Sequence, residues 1–254
     1  MLAPLVEQAR GDPETLGLIL SGSRGDDCGD EESDYDLIWV LTDEGFERRK
    51  AGGVPLRQDS DVVGGRYLLS IRSTSPSRLA ELAAKPSWRT YGYVASKVLL
   101  DKTGAVAEAL RVIATMPEEQ ARLDAAAWFD AYLNAFYRAM KASRRGNELG
   151  ARLQAANSVE YLVKALFSLD RRRPPYHDRL ERHLSDLDDQ GWSPGYLRDT
   201  FVAILRTANP KRQQELEVRV EALMRDRGFG KVLDDWGLDI EWVKAFRFEE
   251  RRLS

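Results

Sequence analysis

Gly22, Ser23, Asp34 and Asp36 are the residues of this chain whose types and spacing could do chemistry together. A glycine lets the backbone turn tightly and approach a ligand closely, and Ser23 adds a hydroxyl. A short helix after Ser21-Gly22-Ser23-Arg24-Gly25 would aim unpaired N–H groups outward, which outlines a phosphate cradle. Asp34 and Asp36 stand two apart at the mouth of an apolar run, where the period of a strand points both carboxylates to one face. Two hard oxygen ligands so placed suit Mg²⁺, which takes one or two carboxylates and completes its shell with substrate phosphates.

The elements that must position these groups are legible on either side. Leu16, Leu18, Ile19 and Leu20 suit a buried strand, and Asp36-Leu37-Ile38-Trp39-Val40-Leu41 suits a second. A short helix over residues 3–10 precedes them, with Leu5 inward, and Gly11-Asp12-Pro13 breaks it. After a polar segment from Thr42, residues 58–65 read as a glycine-containing connection and residues 66–73 as a third strand. Ser75-Pro76-Ser77 caps a helix running to Lys85, residues 94–104 hold a fourth strand and its turn, and Ala105 to Ile113 form an amphipathic helix. Trp88, Tyr91 and Tyr93 could stack on a base or sugar, or belong to the core.

Thr115 and Glu118 make a capping box with Pro117 between them, and everything beyond is helical in character. The first long helix spans residues 117–145, with Leu123, Phe129, Tyr132, Leu133, Phe136 and Met140 on its apolar side. A second spans residues 148–169 and contains Leu153, Val159, Leu162 and Leu166; Arg171-Arg172-Arg173-Pro174-Pro175 stops it. Further helices fit residues 180–189, 194–207, 210–227 and 230–246, before a solvated tail at 247–252. The predicted fold class is α+β: a small mixed sheet in residues 1–115, then an all-α bundle in residues 116–254.

Hydrophobic residues make up 43% and charged residues 31% of the chain, a soluble globular composition. A formal net charge of −3 argues against wholesale nucleic-acid or membrane binding. The single cysteine, Cys28, excludes an internal disulfide framework, and His177 and His183 alone argue against a zinc site. No apolar run approaches a membrane span and the first residues lack a secretory pattern, so a cytoplasmic protein is expected.

Taken together, the strand, Gly22-Ser23, ten intervening residues, and Ser33-Asp34-Tyr35-Asp36-Leu37 leading a second strand resemble the signature of the nucleotidyltransferase superfamily. That superfamily includes DNA polymerase beta and the aminoglycoside and lincosamide nucleotidyltransferases. The resemblance implies a polymerase-beta-like fold, Mg²⁺ on Asp34 and Asp36, and a nucleoside triphosphate, ATP first, held by Gly22, Ser23 and Arg24. In such families a further strand often carries a third carboxylate; here residues 66–73 carry none, and Asp59 or Asp61 could substitute only if their segment folds back towards the pair. Residues 157–169 with 174–178 resemble the helical domain of the antibiotic-modifying members, which implies Glu160 as a general base and Lys164, four residues on, as a phosphate contact. Glu-to-Lys at that spacing is also the ordinary ion pair of any helix.

The expected reaction is AMP transfer to a hydroxyl of a small acceptor such as an aminoglycoside or lincosamide, with substrate between the two domains. A run of acids (Asp26, Asp27, Asp30, Glu31, Glu32) would favour a cationic acceptor. Two other classes stay open: an enzyme resembling the antitoxins that add AMP to a partner protein, and a nucleotide-binding pseudoenzyme lacking the third carboxylate. Asp130 is a weaker candidate for gripping substrate. Arg172 and His177 echo the arginine-to-histidine spacing of HEPN ribonucleases, although Pro174-Pro175 between them speaks against it.

Overall fold

The computed structural model describes residues 2–63, 66–85 and 90–248. Gly64-Gly65, Trp88 and the tail beyond Phe248 lie outside the described residues. The chain forms two compact units, Met1–Met116 and Pro117–Ser254. Its architecture is α+β, with a five-stranded mixed sheet in the first unit and, among the described residues, helices without strands in the second.

In the first unit β1 (Thr15–Ser21), β2 (Tyr35–Leu41), β3 (Arg57–Val63), β4 (Arg66–Thr74) and β5 (Lys97–Asp101) lie in the order β3-β4-β2-β1-β5. Among the described residues only β2 and β4 pair in parallel. The helices are α1 (Leu2–Gly11), α2 (Gly22–Gly25), α3 (Asp43–Ala51), α4 (Pro76–Ala84), α5 (Tyr91–Val94) and α6 (Ala105–Ala114). Alternation along β2 sorts the two faces of the sheet. Leu37, Trp39 and Leu41 pack with Ala9 of α1 and Phe46 of α3. Ile38 and Val40 pack with Leu79 of α4 and Val106, Leu110 and Ile113 of α6. Asp36, two residues before Ile38, therefore belongs to the α4/α6 face.

The buried polar groups at the start of β1 are tied down. The Trp39 indole donates to Thr15 Oγ1 at 2.6 Å, and the Thr15 hydroxyl donates to Asp12 Oδ2 at 2.7 Å, so a core ring keeps its N–H paired.

Three local expectations change. Residues 57–63 are not a connection but the edge strand β3, paired antiparallel to β4; its polar sequence Arg57-Gln58-Asp59-Ser60-Asp61 suits an edge that meets water. Ser75 is the N-cap residue of α4 but makes no capping hydrogen bond. Asp43 caps that helix from outside, accepting from the Ser77 N–H at 3.1 Å and its hydroxyl at 2.9 Å. Thr115 forms no capping box, since the next helix begins at Glu118 with Pro117 as N-cap.

The second unit is built on α7 (Glu118–Arg144) and α8 (Glu148–Leu169), joined by a three-residue turn that sets them as neighbours. Then come α9 (Leu180–His183), α10 (Tyr196–Thr207), α11 (Pro210–Asp226), α12 (Gly230–Trp236) and α13 (Leu238–Ala245). Phe129, Tyr132, Leu133, Phe136, Leu162 and Leu166 are buried in the shared core, whereas Leu123 and Leu153 face water at 59% and 57% exposure. The single helix expected over 180–189 is α9 followed by a 3₁₀ stretch, Leu184–Gln190. The one expected over 230–246 is split where Gly237 adopts φ 51°, ψ −130°, a conformation that no helix contains. No helix among the described residues is long and apolar enough to cross a membrane.

Glu217 of α11 is fully buried in this core, facing the Tyr132 hydroxyl without a well-formed hydrogen bond to either carboxyl oxygen among the described residues. Burial pushes its carboxyl up to about 8, so it is folded in as a neutral acid. Between the ordinary carboxyl range and about 8 the native chain holds a proton that the unfolded chain has lost, so this group's contribution to stability falls as pH rises and is gone above that window. Urea unfolding of Glu217→Gln alongside the wild type should therefore give a gap that grows in favour of the variant from pH 5 to pH 8.5, by a few kcal/mol on the order of one to two per pH unit.

Candidate functional site

The candidate site forms where β1 ends. At Ser21 the chain leaves the strand, the Ser21 hydroxyl donates to the Asp36 carbonyl at 3.2 Å, and the backbone turns through α2 with Gly22 at φ +71°. A Cβ on Gly22 would stand 2.5 Å from Asp36 Oδ2, far inside contact distance. Gly22 thus serves twice: it takes a left-handed conformation that L side chains rarely adopt, and it leaves the space in which the Asp36 carboxylate lies. Ser23 is half-buried, and its hydroxyl has no hydrogen-bond partner among the described residues.

Asp36 is the second residue of β2 and is in register with Ser21 on one side and Ser70 on the other. Asp34 lies just before the strand, half-buried, and its carboxylate has no partner among the described residues. Arg24 is engaged by its own loop. Its Nε donates to the Ser33 carbonyl at 2.9 Å and its Nη2 to the Asp30 carbonyl at 3.0 Å, while the guanidinium lies 4.3 Å from the centre of the Tyr35 ring. It therefore closes the acidic loop that delivers Asp34, and Lys97 of β5 pairs with Asp27 in the same loop.

Two groups that sequence reasoning passed over or left conditional complete the row. Leu69 and Ile71 pack on the α1/α3 face, so Ser70 and Arg72 point to the same face as Asp36. Arg72 Nη2 lies 3.6 Å from Asp36 Oδ1. Asp59 of β3 pairs in register with Ser70, whose buried hydroxyl faces its carboxylate without strict hydrogen-bond geometry. That hydroxyl, with Arg57 and then Arg72, holds the Asp59 carboxyl below its usual range. The row Ser21–Asp36–Ser70–Asp59 sets the acids two strands apart, about 10 Å at the spacing of paired strands. The signal for it was the alternation of Ser70 and Arg72 with Leu69 and Ile71.

Among the described residues no three His, Cys, Asp or Glu side chains converge to hold a metal by themselves. A closed structural ion does not fit such a set. The donor chemistry of two carboxylates beside a glycine-serine turn suits a hard cation that takes one or two protein oxygens and leaves its other positions to phosphate oxygens.

Glu160 and Lys164 belong to the second unit. Their side chains meet at 2.6 Å as a pair one helical turn apart, and the ammonium also sits 4.4 Å from the Trp128 ring centre, with Trp128 stacked on Tyr161 at 5.8 Å. Asp130 accepts from the Trp236 indole at 2.8 Å. Arg172 pairs with Asp186 at 2.6 Å, over the Phe167 ring, whereas His177 is exposed in a single 3₁₀ turn. A cavity of about 180 Å³ in the first unit is lined by Leu16, Val40, Leu79, Ala83, Val106 and other apolar residues, and carries no titratable group.

Gly22 and Gly53 offer a matched comparison, since both have φ near +70° but a Cβ at Gly53 meets nothing within 4 Å. Gly53→Ala should cost about 1 kcal/mol in urea unfolding, the backbone part alone, whereas Gly22→Ala should cost at least about 1 kcal/mol more because Asp36 must move.

The family described as "Domain of unknown function (DUF4037)" matches residues 87–179. No curated protein matches the chain. Among solved structures the chain is similar to a nucleotidyltransferase-like protein from Exiguobacterium sibiricum 255-15, with 13% identity, coverage of 93% of this chain and 86% of that one, and a TM-score of 0.37.

Proposed function

We propose that this protein transfers a nucleoside monophosphate, AMP from ATP, to a hydroxyl of a small acceptor and releases pyrophosphate. The observation that supports this reading is the Asp36 carboxylate lying in the space left by Gly22, a carboxylate oxygen directly against a glycine-serine turn. A turn that only reverses the chain needs no such space.

In this reading Asp34 and Asp36 hold Mg²⁺, which when bound orients the triphosphate and offsets charge at the reacting phosphorus. The backbone at Gly22 and the Ser23 hydroxyl donate to β- and γ-phosphate oxygens. Arg24 acts at one remove, bracing the loop that carries Asp34. The acceptor oxygen bonds to the α-phosphorus as the bond from that phosphorus to the α–β bridging oxygen breaks, and the acceptor's proton passes to Glu160. Lys164 answers negative charge on the phosphates. By the resemblance of the motif, the acceptor class is an aminoglycoside or lincosamide, and the five acids between Asp26 and Glu32 suit a polycationic one.

One observation favours a second reading, a protein that binds Mg²⁺-ATP without turnover: Ser70, not a carboxylate, stands beside Asp36 in the sheet. The test is pyrophosphate release from Mg²⁺-ATP against a panel of aminoglycosides and lincosamides. Release with one compound should fall roughly 100-fold or more in Asp36→Ala and by about 10²-fold or more in kcat for Glu160→Gln. Tight Mg²⁺-ATP binding with no release from any compound would replace the small-molecule reading with a protein acceptor or a non-catalytic binder.

A further inference from the structure

On the α4/α6 face of the sheet Arg72 stands beside Asp36 and near Asp59, whose carboxylate also pairs with Arg57 at 3.0 Å. The Arg72 guanidinium is 3.6 Å from Asp36 Oδ1, close enough for an ion pair but too long for a hydrogen bond. The side chain is 47% exposed, against 25% for Asp36, so it is held by the field of its neighbours more than by fixed donor geometry and is released at small cost. Arg72 also lies near enough to Asp59 to help depress that carboxyl.

We infer that Arg72 is a phosphate-binding residue of this site, which neutralises Asp36 in the metal-free protein and turns to a phosphate oxygen of the nucleotide when a divalent cation takes its place. The inference rests on the proposed metal role of Asp36. Its physical reason is exclusion: a guanidinium and a divalent ion a few ångströms apart repel strongly, so both cannot occupy Asp36 Oδ1. The nearby Asp59 carboxylate is already paired with Arg57, and the incoming triphosphate supplies planar pairs of oxygens that match the fork of donors on the displaced guanidinium. The strand that carries no third carboxylate thereby contributes a cation in its place.

The experiment measures two affinities in the purified full chain by calorimetry: Mn²⁺ alone, and Mn²⁺ with the non-transferable analogue in which a methylene replaces the α–β bridging oxygen of ATP. Arg72→Gln should bind Mn²⁺ alone about three- to tenfold more tightly and the analogue about tenfold more weakly. Arg72→Lys keeps the charge but not the fork, so it should restore the wild-type Mn²⁺ affinity and only part of the analogue's. Opposite shifts of this kind would not follow from a structural role, which would weaken both. Affinities that stay unchanged, or move together, in a variant with a native near-ultraviolet spectrum overturn the inference. Asp36→Asn separates this failure from that of the parent reading: if the wild type binds Mn²⁺ and Asp36→Asn does not, only the role of Arg72 has failed, whereas equal binding by both proteins removes the metal site itself.

Discussion

A carboxylate can press against a backbone turn as closely as Asp36 does only if the turn residue has no side chain. That constraint joins β1 to β2 at the one end of the sheet where both strands carry polar residues, and much of the first unit follows from it. Ser21 must stay in register with Asp36 for the space over Gly22 to fall in the right place, and the Ser21 hydroxyl bonded to the Asp36 carbonyl holds that register. The acidic loop between the strands must fold back without forcing its charges together, and Arg24 and Lys97 supply the positive charge that allows it.

The sheet separates its tasks by face and by end. Along β2 the α1/α3 face is apolar throughout, from Leu37 to Leu41. The opposite face changes character along its length, from Asp36 at one end to Ile38 and Val40 beneath α4 and α6. Polar residues gather where the helices no longer cover the strand, because burying Asp36 or Arg72 beneath α4 would require partners for each charge. The same economy places the polar strand β3 at the edge, where its outer hydrogen-bonding groups can meet water.

The helical unit handles polarity differently. Its core accepts a carboxyl, that of Glu217, beside the Tyr132 hydroxyl, and burial keeps that group neutral instead of pairing it with a cation. Nearby Lys244 is already engaged by Glu221 and Glu241. Lys164 of the same unit lies on aromatic rings as well as beside Glu160, so its ammonium is partly desolvated and more firmly placed than a surface pair would leave it.

The sequence by itself determined the strands on either side of Gly22-Ser23, the two aspartates, the α+β class and the two long helices, because each is written in local periodicity and in residues with few alternative uses. Turn and cap chemistry was less legible: Gly237 splits a helix that its periodicity would have continued, and Asp43, distant in sequence, takes the capping role that Ser75 advertises. The pairing of β3 with β4 was decided only by tertiary structure, since a polar edge strand has no apolar alternation to announce it. So were the diversion of Arg24 to its own loop and the approach of Arg72 to Asp36. Long cationic side chains reach several ångströms in many directions, and which carboxylate or carbonyl they meet depends on strand order and register, neither of which local sequence encodes.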